Sequence, residues 1–436
     1  MDTIVAISTP YGTGGIAVIR VSGPQAVPIV EKLTCMLQSH KPYTIHHTTL
    51  HRGEEILDEV LVSLFRAPHS FTGEDVVEIA CHGSLYIQQE ALQWLTDAGC
   101  RLAKAGEFTQ RAFLNGKMDL SQAEAVADLI AAETKAEKDL AFSQLRGGIS
   151  TQLQSLRDKL LHFTSLIELE LDFADHEELE FADRTQLKDL ADTIYRHLTS
   201  LADSFQTGNA IKNGIAVAIV GPTNAGKSTL LNALVGEERA IVSDVAGTTR
   251  DTIEDKIIID GLPFRFIDTA GLRETNDLVE SMGIERSRNA MEKAQIIIYV
   301  QDITHPQTDL TNLPKDKEII YVLNKADLQL HPTSDSCLLI SAKNNDIDIL
   351  KQRLSNIARA HFNYSGTVIS NVRHYEAITR AKAAIQRVLE GLDDNLSGEF
   401  LSMDLQDCLG ALGEITGQIT SQEVLNNIFS KFCIGK

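Results

Sequence analysis

The chain has few cysteines and no long apolar runs, and both features limit the classes of protein to which it can belong. Its six cysteines are at positions 35, 81, 100, 337, 408 and 433, with no Cys-x-x-Cys pair. This spacing argues against a zinc site or a disulfide framework and suits a reducing compartment. No apolar run approaches membrane-spanning length, and the start, Met1-Asp2-Thr3, lacks the basic flank of a signal peptide. We therefore expect a cytoplasmic protein with no membrane partner.

Basic residues are also in deficit. The 436 residues include 40 Lys and Arg against 60 Asp and Glu, which gives a net charge of −20. Most of such a surface repels a polyanion, so a nucleic acid would have to be held by a local basic patch or by another subunit. The length predicts about two to three domains.

The first third of the chain mixes two kinds of pattern. Residues 3–8, 15–21, 56–65 and 76–81 are rich in β-branched and apolar residues and predict strands, whereas 84–98 and 108–114 predict helices. We expect an α+β domain over residues 1–118.

Helical periodicity surrounds a segment that alternates between strand and helix. Apolar residues three and four apart, from Leu153 to Ile167 and from Ile378 to Leu392, predict helices over 119–210 and 371–436. Between them, the strand candidates 215–220, 257–260, 264–268, 295–300, 318–324 and 337–341 predict a mostly parallel sheet over 211–370. The economical interpretation is one helical domain with an inserted α/β domain, although two helical domains would show the same periodicity. The acidic run at 175–180 is interpreted as a solvated helix end, with a metal site as the alternative.

Residues 221–228, Gly-Pro-Thr-Asn-Ala-Gly-Lys-Ser, have the pattern of a phosphate-binding loop. They follow a buried-strand pattern and precede helical spacing from Ser228 to Leu234. In this context backbone N–H groups of the loop and of the helix N-terminus face the phosphates. Lys227 would reach the β- and γ-phosphates, and Ser228 would ligate Mg²⁺.

Further motifs follow in the order that a GTPase needs. Residues 247–251, Gly-Thr-Thr-Arg-Asp, offer a threonine hydroxyl for a second Mg²⁺ contact. Residues 268–271, Asp-Thr-Ala-Gly, place Asp268 near the metal and the Gly271 N–H near the γ-phosphate. Residues 324–327, Asn-Lys-Ala-Asp, offer a carboxylate to guanine, which would favour GTP over ATP by roughly 10²–10⁴-fold. Residues 341–343, Ser-Ala-Lys, would complete the base pocket.

Leu272 stands where a Ras-like enzyme carries a water-orienting glutamine. An aliphatic side chain neither orients nor deprotonates water, so another group must assist hydrolysis. Arg250 and Arg273 are candidates for an arginine finger, with ordinary surface arginines as the alternative. A monovalent cation held by the Asn224 side-chain oxygen is a further candidate, and Glu280 is a candidate for acid–base help.

The motif order, Leu272 and the final residues 433–436, Cys-Ile-Gly-Lys, resemble the MnmE (TrmE) family of tRNA modification GTPases. The resemblance covers the whole chain and includes residues 14–20 (Gly-Gly-Ile-Ala-Val-Ile-Arg), 71–75 (Phe-Thr-Gly-Glu-Asp), 81–83 (Cys-His-Gly) and 106–117 (Gly-Glu-Phe-Thr-Gln-Arg-Ala-Phe-Leu-Asn-Gly-Lys). It implies a multidomain α/β chain with an α+β folate-binding and dimerisation domain, a helical domain and an inserted Ras-like P-loop G domain.

The resemblance also implies a potassium-stimulated GTPase whose G domains dimerise across their active sites. It implies Ser228 and Thr249 as Mg²⁺ ligands and Asn224, Ser243, Val245 and Thr248 as K⁺ contacts. Catalytic roles fall on Glu280 as general acid/base, Lys227, Asp268 and Cys433, although Cys433 is also explained as a small hydrophobic residue of a tail helix. The full set of implied nucleotide-binding residues is Asn224, Ala225, Gly226, Lys227, Ser228, Thr229, Ser243, Asp244, Val245, Ala246, Gly247, Thr248, Thr249, Asp268, Thr269, Ala270, Gly271, Asn324, Lys325, Asp327, Ser341, Ala342 and Lys343.

A second ligand, 5-formyltetrahydrofolate, is implied at Arg20, Glu78, Lys117 and Lys436. Arg and Lys can meet the glutamate tail of a folate, and a carboxylate can pair with the amidine-like edge of its pterin. The implied partners are a second copy of the chain, the FAD-dependent MnmG (GidA) protein in a heterotetramer, and tRNA. With MnmG the family adds an aminomethyl or carboxymethylaminomethyl group to the wobble uridine of certain tRNAs.

Some alternatives stay open at this point. Arg101, Lys104, Arg111 and Lys117 form the densest basic stretch of the chain's first part, which predicts either a tRNA-binding patch or part of a folate site. Leu272 also fits a regulatory GTPase that only gates a partner, with little catalysis of its own. A third hypothesis is a folate-dependent one-carbon transferase in which the GTPase is ancillary.

Overall fold

The computed structural model describes residues 2–34, 41–172, 184–237, 255–267, 288–305, 313–314, 316–328, 337–361 and 367–435, and only the backbone of 170–172, 237, 255 and 361. They form two compact units. Unit 1 comprises Met1–Ile130, Gln144–Leu166 and Leu405–Lys436, and unit 2 comprises Ala131–Ser143 and Ile167–Asp404. The helical segments are divided between the units, so the boundaries of a helical domain stay a prediction.

Unit 1 contains a six-stranded mixed sheet. Its strands are β1 (Ile4–Ile7), β2 (Gly14–Ser22), β3 (Ile45–Arg52), β4 (Glu55–Phe65), β5 (Val76–Gly83) and β6 (Arg101–Leu102). They lie in the order β3-β4-β5-β2-β1-β6, and only β1 and β6 pair in parallel. Arg20 in β2 is directly opposite Glu78 in β5, so the register places two predicted folate residues side by side.

One face of this sheet forms the core of unit 1. Helices α1 (Ala26–Glu31) and α2 (Leu85–Asp97) cover it, and Trp94 and Leu95 belong to the same buried apolar cluster as Ile19 and Ile79. Because side chains alternate along a strand, Arg20 and its neighbours on the same register lie on the opposite face. Arg20 and Glu78 are therefore on the face that these two helices leave uncovered.

The sequence pattern does not predict β3 or α1. In β3 only Leu50 is buried, and the His and Thr residues of this edge strand are half-buried or, at His47, exposed, so the strand lacks an apolar alternation. Helix α1 has six residues, including Pro28, which is too short for helical periodicity to show.

Unit 2 contains a second six-stranded sheet. Its strands are β7 (Ile215–Val220), β8 (Asp255–Ile259), β9 (Leu262–Phe266), β10 (Ile296–Asp302), β11 (Glu318–Asn324) and β12 (Leu338–Leu339). The order is β12-β11-β10-β7-β9-β8, and only β8 and β9 pair antiparallel. The predicted parallel sheet is confirmed, although β9 and β12 end earlier than predicted. The loops that follow β7, β10 and β11 leave the same edge of the sheet.

Helices account for most of the remaining described residues. They are α3 (Glu107–Leu114), α4 (Leu120–Ala131), α5 (Lys135–Leu145), α6 (Gly148–Asp172), α7 (Arg184–Asp203), α8 (Phe205–Asn213), α9 (Lys227–Glu237), α10 (Asp348–His361), α11 (Val372–Asp393), α12 (Gly398–Thr416) and α13 (Gln422–Ser430). The predicted apolar stripes of α6 and α11 are buried. Within the described ranges, no helix combines the length and apolarity needed to cross a membrane. The acidic run at 175–180 lies outside these ranges.

Candidate functional site

The loop at residues 221–228 joins β7 to α9, and its backbone depends on two glycines. Gly221, Asn224 and Gly226 have φ values of 146°, 62° and 91°. A Cβ on Gly226 would lie 2.2 Å from Asn324 Nδ2, and one on Gly221 would lie 2.0 Å from the Val300 carbonyl oxygen. Only glycine fits at these two positions, while asparagine tolerates the left-handed region better than most residues. Since α9 begins at Lys227, its first N–H groups are at the end of this loop.

The Lys227 side chain binds the backbone at the start of its own loop. Its Nζ donates to the carbonyl oxygens of Gly221 at 2.9 Å and Pro222 at 2.8 Å. Burial lowers the pKa of Lys227, because desolvation disfavours the charged ammonium. A phosphate in this loop would bring the opposite charge that stabilises the ammonium.

Asn324 connects the loop to the segments predicted to bind the base. This buried side chain donates from Nδ2 to the Ala225 carbonyl oxygen at 2.9 Å and accepts at Oδ1 from the Ala342 N–H at 3.0 Å. Ser341 Oγ donates to Asp327 Oδ1 at 2.7 Å. The structure thus brings three sequence-predicted motifs together at one edge of the sheet.

Asp327 is exposed at this edge. The bond from Ser341 fixes one carboxylate oxygen and so orients the group. A carboxylate held in this way can accept the ring N–H and the exocyclic amine of guanine, whereas adenine presents no matching pair of donors. The arrangement suits recognition of a guanine base beside a phosphate loop.

A further set of residues predicted for the nucleotide site lies outside the described ranges. They are Ser243, Asp244, Val245, Ala246, Gly247, Thr248, Thr249, Arg250, Asp268, Thr269, Ala270, Gly271, Leu272, Arg273 and Glu280. The assignments of potassium contacts and of the general acid/base stay predictions.

Arg20 and Glu78 form the centre of a second candidate site, in unit 1. Arg20 Nε and Nη2 each lie 2.9 Å from Glu78 Oε1. The Arg20 guanidinium carbon is 5.2 Å from the ring centroid of Phe71 and 5.6 Å from that of Phe108, within reach of a cation–π contact. The two charged side chains are 20% and 28% exposed, so a ligand can reach both.

A buried ion network fixes the loop that carries Phe71. Arg111 of α3 is only 5% exposed, and its guanidinium lies 2.7 Å from Asp2, 3.1 Å from Glu74 and 3.1 Å from Glu107. Glu74 also accepts from Ser22 Oγ at 2.7 Å. Burial alone would raise the pKa of Glu107, but hydrogen bonds from Arg101, the Lys104 amide and Arg111 outweigh it, and that pKa is lowered. Glu107 is thus a charged partner, not a proton donor, at neutral pH.

The motifs at 71–75 and 106–117 contact each other in the structure. Asn115 Nδ2 donates to the Thr72 carbonyl oxygen at 2.7 Å, and Lys117 Nζ donates to the Pro68 carbonyl oxygen at 2.9 Å. Helix α3 and the residues after it therefore hold the loop on which Phe71 faces Arg20. Lys117 contacts this loop, but its amine is committed to a carbonyl and not to the Arg20–Glu78 pair.

The basic stretch at 101–117 is less basic than its sequence indicates. Arg101 contacts Asp2 and Glu107, and Arg111 is buried among carboxylates. These two arginines are already ion-paired, although Arg101 is 41% exposed, and the choice between a tRNA-binding patch and part of a folate site stays a prediction. Lys104 and Lys117 are exposed.

The C-terminal tail is docked against the end of β1. Ser8 Oγ donates to the Gly435 carbonyl oxygen at 3.1 Å, and the Gly106 N–H donates to that of Cys433 at 3.3 Å. Gly435 has φ 92°, and a Cβ there would lie 2.1 Å from the Ile7 carbonyl oxygen. Lys436 lies outside the described ranges.

Cys433 differs from the other described cysteines of unit 1. It is exposed, whereas burial raises the pKa of Cys81 to about 11 and that of Cys100 and Cys408 to about 12. The alternative of a small hydrophobic residue in a tail helix is wrong, because α13 ends at Ser430 and Cys433 is exposed. Its thiol is accessible, and whether it takes part in chemistry stays a prediction.

Two protein-family models match the chain. A model described as the GTP-binding protein TrmE N-terminus matches residues 3–117, and one described as the MnmE helical domain matches residues 120–433. The chain belongs to the MnmE (TrmE) family. The curated "tRNA modification GTPase MnmE" of Parabacteroides distasonis is 53% identical and that of Bacteroides fragilis 52% identical, and these alignments cover 100% of this chain and at least 99% of each relative. The MnmE of Flavobacterium johnsoniae is 48% identical over 100% of this chain and 99% of its own length.

Membership of the MnmE family does not by itself point to every residue of these sites. Sequence reasoning missed Phe71, because no rule links an aromatic residue to an arginine 51 positions away. It also missed Asp302, which contacts Lys325. A signal for Asp302 was present, since it ends a buried strand that lies beside the strand of Asn324.

Proposed function

We propose that this chain binds and hydrolyses GTP in the modification of tRNA. The observation that carries the proposal is the Asn324 side chain, which joins the phosphate-type loop to the residues that would surround a guanine. The name of the curated relatives, tRNA modification GTPase, agrees with this chemistry.

In this proposal each described residue has a definite task. Backbone N–H groups of residues 221–228 bind the phosphates, and Lys227 moves from the loop carbonyls to the β- and γ-phosphates. Asp327, oriented by Ser341, selects guanine. The Ser228 hydroxyl is a hard oxygen ligand at the start of α9, which suits Mg²⁺ with Thr249 as the second protein ligand. Bound Mg²⁺ would neutralise charge that develops on the phosphates.

We extend the proposal to potassium. Leu272 cannot orient water, so a cation is needed where an arginine finger would act. Asn224 places an amide side chain on the phosphate loop itself, and Ser243, Val245 and Thr248 would add oxygen ligands. Glu280 would act as general acid/base once G domains of two copies dimerise.

We also propose a tetrahydrofolate site in unit 1. Glu78, beside Arg20, would pair with the pterin edge, Lys117 and Lys436 would meet the glutamate tail, and Phe71 would offer an apolar surface. With this one-carbon unit, and with ammonium or glycine as the source of the amine, a homodimer of the chain and the FAD-dependent MnmG would add an aminomethyl or carboxymethylaminomethyl group to the wobble uridine of certain tRNAs. Because Arg101 and Arg111 are already paired, MnmG would supply most of the tRNA contact.

The test is steady-state GTP turnover in KCl and in NaCl at equal ionic strength. We expect faster phosphate release in KCl, and Asn224→Gly, which keeps the left-handed backbone but removes the side-chain oxygen, should remove the difference. Asn395→Gly, at another left-handed asparagine of unit 2, should not. Equal rates in both salts would contradict the potassium role. Intact GTP binding with negligible turnover in either salt would favour a regulatory GTPase, the alternative that Leu272 suggests.

A further inference from the structure

Asp302 is the last residue of β10, and Lys325 comes directly after the neighbouring strand β11 in unit 2. The register of β10 and β11 pairs Asp302 with Asn324, and Lys325 comes next with a left-handed backbone at φ 66°. Lys325 Nζ donates to Asp302 Oδ2 at 2.6 Å. The phosphate-loop motif and the Asn-Lys-Ala-Asp motif both leave Asp302 out.

Asp302 is itself held in place. The Thr304 N–H and Oγ1 donate to Asp302 Oδ1 at 2.9 and 2.7 Å, and the Ile303 N–H donates to the Asn324 carbonyl oxygen at 3.0 Å. Burial alone would raise the pKa of Asp302, but the Lys325 and Thr304 hydrogen bonds lower it to about 2. The carboxylate is therefore a fixed anion over the whole neutral range.

Lys325 lies between two residues that belong to the candidate nucleotide site, which connects its contact with Asp302 to that site. Asn324 on one side binds the phosphate-type loop, and Asp327 two residues later is the proposed guanine acceptor. The four-carbon stem of Lys325 runs from the backbone between these two residues to Asp302. A lysine stem is apolar, and anchoring its ammonium removes side-chain freedom that base binding would otherwise have to restrict.

We propose that Asp302 is a positioning residue of the nucleotide pocket, which holds the Lys325 stem extended as an apolar wall beside the bound guanine. The inference rests on the proposed binding of GTP and deepens it. Pre-organisation of this kind raises affinity by lowering the cost of ordering the site.

An ordinary surface ion pair would not be expected to change nucleotide affinity. Exposed pairs often contribute nothing measurable. Here the side chains are 32% and 19% exposed, and the acceptor is fixed by two further donors. Removing the charge of Asp302 should therefore change nucleotide affinity and not only stability.

The test is equilibrium binding of a fluorescent GDP to the full chain. Asp302→Asn keeps the shape and removes the charge, and we expect it to weaken GDP binding by roughly five- to tenfold, because a charge-assisted hydrogen bond is lost. The matched control is Asp260→Asn, an exposed aspartate at the β8–β9 turn with φ 50°, which asparagine tolerates. This control should bind GDP like the wild type. Melting curves of each variant confirm that it is folded.

A double-mutant cycle separates positioning from a general structural effect. Lys325→Met keeps most of the stem and removes the ammonium, so adding Asp302→Asn to it should weaken binding less than twofold further, because both changes remove one interaction. An unchanged affinity in Asp302→Asn, or an equal loss in both backgrounds, would overturn the assignment alone. A wild-type chain that does not bind GDP would overturn the proposed function as well.

Discussion

The phosphate-type loop of unit 2 holds its shape mainly through the backbone, whereas the Arg20 site of unit 1 holds its shape through charged side chains. In the loop, Gly221 and Gly226 stand where any Cβ would collide with its surroundings. Around Arg20, the loop that carries Phe71 is fixed by Arg111 and three carboxylates. A methyl group should therefore disrupt the first site, and loss of a charge should disrupt the second.

The largest expected effect is that of Gly226→Ala. The new Cβ would displace Asn324 Nδ2, and the left-handed backbone would add strain. Strain of about 1–2 kcal/mol and a lost buried hydrogen bond of about 1–3 kcal/mol predict GDP binding weaker by roughly 100-fold or more. A titration with fluorescent GDP measures it.

Gly236→Ala is the control for that variant. Gly236 is near the end of α9, and a Cβ there meets nothing within 4 Å. GDP affinity should stay unchanged, and stability should rise slightly, since alanine favours a helix. If Gly226→Ala bound GDP as tightly as Gly236→Ala does, the loop would not depend on its glycine backbone.

Arg111→Leu should cause the largest loss of stability in unit 1. It leaves the Glu74 carboxylate, whose side chain is 12% exposed, without its cation, while Glu107 keeps Arg101, and removing one partner of a buried ion pair typically costs about 3–5 kcal/mol. Chemical denaturation followed by circular dichroism would show it. Arg52→Leu breaks an exposed pair with Asp97 in the same unit and should cost less than about 1 kcal/mol. Equal costs for the two variants would refute the distinction between the buried network and a surface pair.

A smaller effect is expected for Arg20→Met, which keeps an apolar stem and removes the charge. We expect the affinity for 5-formyltetrahydrofolate, measured by calorimetry, to fall about tenfold through loss of a charge-assisted contact. Arg52→Met, which also loses an ion-paired arginine of unit 1, should bind like the wild type. Unchanged affinity in Arg20→Met would remove Arg20 from the folate site.

The contrast between a site held by its backbone and a site held by charged side chains also explains which features can be predicted from the sequence. The loop at 221–228 is contiguous, and its glycines obey a steric rule, so its place between β7 and α9 could be predicted from spacing. Parallel strands that end at one edge also predict that Asn324 lies near the loop. The contacts of Arg111 could not be predicted, because Asp2, Glu74 and Glu107 come from three distant segments and no local rule pairs them. Strand β3 could not be predicted for a related reason, since it is held by pairing with β4 and has no apolar pattern of its own.

The most direct test of the guanine pocket is the base preference of Asp327→Asn. In the wild type we expect GDP to bind far more tightly than XDP. Asparagine at 327 can keep the bond from Ser341 at its oxygen and present an amide N–H₂ to the extra oxygen of xanthine, while it loses the carboxylate that accepts from guanine. GDP binding should therefore fall by roughly 100-fold, and XDP should become the preferred ligand. A variant that still prefers GDP would contradict it.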